Sequence, residues 1–86
     1  MRAEALAAFG RALALSPSDA LALNNRGVAL FSLGQVDAAR QDFERALKVE
    51  PCQFDARLNL RKIGVQTKGS PECRYTPEQL QQLDGR

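Results

Sequence analysis

The chain has no histidine, no tryptophan, only two cysteines and 6% aromatic residues, and nowhere does it run eighteen residues without a charge. Lack of histidine removes the commonest general base and metal ligand, and two cysteines 21 residues apart cannot make a four-ligand zinc site. Catalysis, a cofactor and a metal centre are therefore not expected, nor is a small-molecule substrate. The charges interrupt any membrane-spanning helix. Met1–Ala8 carries Arg2 and Glu4 where a secretion signal would need an apolar stretch. A cytoplasmic chain with no membrane partner is expected. Twelve Lys and Arg against ten Asp and Glu leave a net charge of +2, so there is no large basic field and nucleic acid is not the expected partner.

What is present is helix-forming: 44% of residues are hydrophobic and 26% charged, and alanine and leucine dominate the apolar set. Of the 86 residues, Gln66–Tyr75 reads as linker, which puts the core-forming region below the roughly 70–80 residues where one core normally suffices. One domain at most, with help from a partner, is the reading from size alone.

The chain also repeats itself. At a shift of 34, Ala5, Phe9, Arg11, Ala12, Leu13 and Pro17 coincide with Ala39, Phe43, Arg45, Ala46, Leu47 and Pro51. The apolar members of each set fall at spacings of four, three and one, which makes a single helical face. Alanines let a neighbouring helix approach closely, phenylalanine fills the gap, and the prolines stop each helix. Between these segments Asp19–Leu33 reads as a helix entered through Ser18 as N-cap and ended by Gly34 in a left-handed cap. Leu23, Gly27 and Leu30 form one stripe on it, with Leu21, Val28 and Phe31 largely off that stripe. The short turn Gly34–Val36 makes its neighbours an antiparallel hairpin. A fourth helix is expected at about Gln53–Ile63, carrying Phe54, Leu58, Leu60 and Ile63. After the linker, Thr76-Pro77-Glu78-Gln79 has the form of a capping box opening a short helix, with Tyr75 expected to staple onto Leu80. Seven or eight residues cannot hold a helix alone, so docking is required.

A 34-residue period with a helix pair in each unit resembles the tetratricopeptide repeat. Leu23 stands where that family often has Trp, Gly27 holds the close-packing glycine, and Leu30 takes the usual Tyr place. Ala39, Phe43, Ala46 and Pro51 match the second-helix signature, and Leu33-Gly34 the inter-helix turn; Arg26 departs from the usual Leu. The resemblance implies an all-α fragment of an antiparallel helix-hairpin superhelix, with about four helices plus a short C-terminal one. Residues 1–65 would form the module, with one full repeat at 18–51 between a preceding second helix and a following first helix, and 66–86 would be linker and tail.

In that frame the first helix that would cover Ala5, Leu6 and Phe9 is absent, and the Gln53–Ile63 helix lacks its own partner. Self-association into a homodimer or larger assembly through Ala5, Leu6 and Phe9, membership of a longer array, and fold-back of Tyr75–Leu83 are the alternative remedies. The resemblance further implies a non-catalytic protein or peptide binder, whose groove would be lined by Leu21, Asn24, Asn25, Val28, Phe31, Ser32, Asp55, Leu58, Asn59 and Lys62. Asn25 and Asn59 recur at the period, and an amide can both donate to and accept from an extended peptide; the other reading is that they satisfy only local backbone or water. The alternative function is a docking appendage of a protein-modifying enzyme. Arg57, Arg61 and Lys62, with Lys68, form the one basic cluster, and a solvated face is expected there. Cys52 and Cys73 are expected as free thiols, with a Cys52–Cys73 or intermolecular disulfide as the alternative.

Overall fold

A computed structural model describes residues 2–67 and 72–84. It contains five helices and, among the described residues, no strand: α1 (Arg2–Leu15), α2 (Ala20–Ser32), α3 (Val36–Val49), α4 (Phe54–Lys62) and α5 (Pro77–Asp84). Each packs on its neighbour in sequence, and α2 also touches α4. Turns of a few residues make successive helices antiparallel, so α2 and α4 run in the same direction.

The helix ends follow local chemistry. Asp19, not Ser18, caps α2: its backbone is extended and its carboxylate accepts from the Ala22 amide at 3.0 Å. Ser18 is held in the turn that follows Pro17, one residue too early for its hydroxyl to serve. At the other end Gly34 adopts φ +81°, and the Gln35 amide reaches back to the Leu30 carbonyl at 2.9 Å. Gly64 ends α4 in the same way, with φ +87° and the Val65 amide on the Leu60 carbonyl at 2.9 Å. Both are glycine caps of the Schellman kind, which need a left-handed residue. The capping box before α5 forms in both directions, Thr76 amide to Gln79 Oε1 at 3.0 Å and Gln79 amide to Thr76 Oγ1 at 3.1 Å.

Two apolar clusters make the core. One gathers Leu13, Ala20, Ala22, Leu23, Ala46 and Ala56 from four helices. The other is Ala39, Phe43 and Leu60, flanked by Leu30, Ile63 and Val65, and Leu47 borders both. Phe43 lies against Gly27 so closely that a Cβ there would sit 2.5 Å from the ring. Glycine is therefore required at position 27 for lack of space, and α2 and α3 meet with the ring between their backbones.

Arg26, the departure from the repeat pattern, is accommodated by an ion pair. Its guanidinium donates through Nε and Nη2 to the two carboxylate oxygens of Asp42 at 2.7 and 2.8 Å, and the Asp42 side chain is 5% exposed. A bidentate fork satisfies a carboxylate that would be costly to bury alone. The hydrogen bond to Asp42 holds the Arg26 guanidinium above its ordinary pKa, against the opposing effect of burial.

Candidate interaction surface

The exposed face of α2 carries Leu21, Asn25, Val28 and Ser32 at spacings of four, three and four, with Phe31 beside them. Such spacing aligns side chains in one stripe along a helix. Leu21 is 60% exposed, and Val28 and Phe31 are each 45% exposed. A second stripe runs along α4 through Asp55, Asn59 and Lys62, with half-buried Leu58 beside it. The two stripes are the same positions one period apart: Leu21 and Asp55, Asn25 and Asn59, Val28 and Lys62. Since α2 and α4 touch and run in one direction, the stripes lie side by side. Together they offer apolar area on one side and a carboxylate and an ammonium on the other.

Of the ten groove residues expected from the sequence, nine are exposed or half-buried on α2 and α4. Asn24 is not: it is 4% exposed and its Oδ1 accepts from Asn59 Nδ2 at 3.0 Å. The pair fastens α2 to α4, because an amide removed from water must find a partner inside the fold. Asn25 is half-buried, as are Ala5, Leu6 and Phe9 on α1, and among the helices α1 packs on α2 alone.

The α4 flank differs from expectation in three respects. Arg57 is not on a solvated face; it is 6% exposed. Its guanidinium donates to the Pro51 carbonyl at 2.6 Å, to Thr67 Oγ1 at 2.9 Å and to the Tyr75 hydroxyl at 3.2 Å. Arg61 and Lys62 are exposed, and Lys68 lies outside the described residues. Secondly, Cys52 and Cys73 are joined in a disulfide with Cα atoms 5.2 Å apart, and no described cysteine is free. Thirdly, Tyr75 packs edge-on against Phe54, ring centroids 5.8 Å apart, and donates to the Cys52 carbonyl at 3.0 Å. It is thus tied to the start of α4, and it lines one cavity together with Leu80. The expected linker is pinned at Thr67, Cys73 and Tyr75. Fold-back of the tail supplies α4 with a neighbour, as α5 packs on it, and a cavity of about 590 Å³ lies there, lined by residues including Arg57, Arg61, Val65 and Leu80.

One signal for Arg57 was available in the sequence: it stands 34 residues after Leu23, in a core slot. Asp42, buried beside Arg26, carried no comparable sign. Among the described residues no group of three His, Cys, Asp or Glu side chains could hold a metal, and no helix is long and apolar enough to cross a membrane.

Comparison with known proteins agrees with this architecture. The family model of the tetratricopeptide repeat matches residues 2–63. RNA polymerase II-associated protein 3 of Homo sapiens is 42% identical over 67 residues, which are 78% of this chain and 10% of that protein. The Mus musculus protein of the same name is 44% identical over 52 residues, 60% of this chain and 8% of its own length. The CTR9 homolog of Arabidopsis thaliana is 32% identical over 80 residues, 92% of this chain and 7% of that protein. The chain thus spans about a tenth or less of the curated relatives it matches. No solved structure matches it significantly. With the 34-residue period, the Gly27–Phe43 contact and the family match all falling on the same helices, the chain belongs to the tetratricopeptide repeat family.

Proposed function

We propose that the chain is a non-catalytic interaction module that holds an extended peptide of a protein partner along the paired stripes of α2 and α4. The observation that supports this reading is the contact between α2, which carries Leu21, Asn25, Val28 and Phe31, and α4, which carries Asp55, Asn59 and Lys62. The α2 stripe with the adjacent Phe31 offers three exposed large apolar side chains, more than a solvated helix face needs. Asn25 supplies an amide able to pair with a peptide backbone, and Lys62 a cation for an acidic side chain or a terminal carboxylate. Asn24 belongs to the support of this surface, since its bond to Asn59 sets how closely the two stripes lie. Family membership and the relatives named for association with RNA polymerase II support a protein as the partner.

A peptide array followed by titration of the best binder tests the reading. Asn25→Ala combined with Val28→Ser should weaken that peptide at least about tenfold, the effect of losing one or two well-buried contacts, while helix content stays unchanged. Undiminished affinity in this variant would show that the peptide binds elsewhere.

A further inference from the structure

We propose that the Cys52–Cys73 disulfide is a redox latch: closed, it holds the segment Glu72–Asp84 against α4, and reduced by a dithiol it releases that segment while α1–α4 stay folded.

The attachment of this segment is sparse. Among the helices α5 packs on α4 alone, and no residue from Glu72 to Leu83 is fully buried. Leu80 is 48% exposed. An eight-residue helix has too few internal hydrogen bonds to persist without docking. Besides the packing of α5 on α4, the ring contact and hydrogen bonds of Tyr75 that hold the segment lie close to the disulfide: the Phe54–Tyr75 ring contact and the Tyr75 hydroxyl between Arg57 Nε and the Cys52 carbonyl. Each joins a residue within two positions of Cys73 to one within five of Cys52. The covalent bond therefore fixes the local concentration on which those contacts depend.

The core is independent of the segment. Both apolar clusters draw only on residues from Leu13 to Val65, and Gly64 closes α4 before the segment Glu72–Asp84 begins. Release thus removes a wall of the cavity beside Arg57 and Arg61 without opening either cluster. Cys52 is exposed and Cys73 half-buried, so a reductant reaches the bond.

The chemistry is ordinary exchange. A thiolate of a dithiol attacks the Cys52 sulfur, the Cys52–Cys73 bond breaks, and Cys73 leaves as a thiolate. The second thiol of the reductant then displaces Cys52, closing its own disulfide. Two electrons pass to the protein, and the two protons lost by the dithiol end on Cys52 and Cys73. An oxidised dithiol reverses each step.

The sole tyrosine lies in the latch and the chain has no tryptophan, so intrinsic fluorescence anisotropy reports on Tyr75 alone. Hydrogen exchange of the full chain with and without dithiothreitol is the main measurement. The oxidised chain should be lighter by two hydrogens. Reduction should speed exchange of the α5 amides about a hundredfold, the loop-closure factor for a ring of this size, lower the Tyr75 anisotropy, and leave α2 and α3 amides unchanged. The Cys52→Ser/Cys73→Ser variant should show the released pattern with or without dithiothreitol. Unchanged α5 exchange on reduction overturns the proposal, as does equal acceleration in α2 and α3, which would make the bond a staple for the whole fold. Two titratable thiols in chain prepared without reductant would overturn it as well.

Discussion

Helices α2 and α4 start 34 residues apart, at Ala20 and Phe54, and so occupy the same place in the repeat, yet they are held in different ways. In α2 the inward slots are filled by Leu23, Gly27 and Leu30; the corresponding residues of α4 are Arg57, Arg61 and Gly64. Leu23 is 1% exposed and Arg57 6%, so both first slots are buried, one by apolar contact and the other by hydrogen bonds to Pro51, Thr67 and Tyr75. The glycine of α2 admits the Phe43 ring. In α4 the glycine falls three residues later and ends the helix, which is why α4 has 9 residues against 13 in α2. A further helix hairpin would continue the apolar seam. Here Gly64 turns the chain, Val65 closes the Phe43–Leu60 cluster, and a cross-linked segment returns over the flank. The same backbone position thus serves as the middle of a repeat in one place and as the base of a cap in the other.

The comparison can be broken most severely at Phe43, which touches Gly27 of α2 and clusters with Leu60 of α4. Phe43→Ala should cost about 3–5 kcal/mol, a large part of the stability of any domain this small. Thermal melts followed by far-UV circular dichroism should show a broad transition or none. Replacing Arg57 by Leu makes α4 imitate α2. It removes donors from the Pro51 carbonyl, Thr67 and Tyr75, and the expected loss is about 2–3 kcal/mol, typical of buried bonds to a charged group. Denaturant midpoints would measure it, and a variant as stable as the parent would mean that apolar filling alone suffices in both helices. The smallest effect is expected at Gly64→Ala. A β-carbon in the left-handed region costs about 1–2 kcal/mol, and urea titration should show that loss with an unchanged slope.

Much of the frame was legible before folding. The 34-residue echo located the helices, Leu33-Gly34 marked the turn, Gly27 marked the close approach, and Thr76 with Gln79 announced the box that caps α5. The stripe on α2 was legible for the same reason, since its members lie within three turns of one helix. Asn24 and Asn25 look alike in sequence, while a helix rotation of about 100° between them separates a half-buried amide from a buried one. Charge favours water, so the sequence suggests a solvated Arg57, whereas its three oxygen partners come from separate segments. Arg26 and Asp42 meet across 16 residues, a distance at which no local rule relates an arginine to an aspartate.

By itself the sequence determined the helices, their glycine turns and the repeat frame, because helical spacing and glycine turns act within a few residues of chain. The tertiary structure decided which groups are buried across that frame. It joined Asn59 to Asn24, Arg26 to Asp42 and Cys52 to Cys73, and it tied Thr67 and Tyr75 of the expected linker to Arg57 of α4. Those contacts exist only after the packing of α2, α3 and α4 has excluded water and brought distant polar groups within hydrogen-bonding reach.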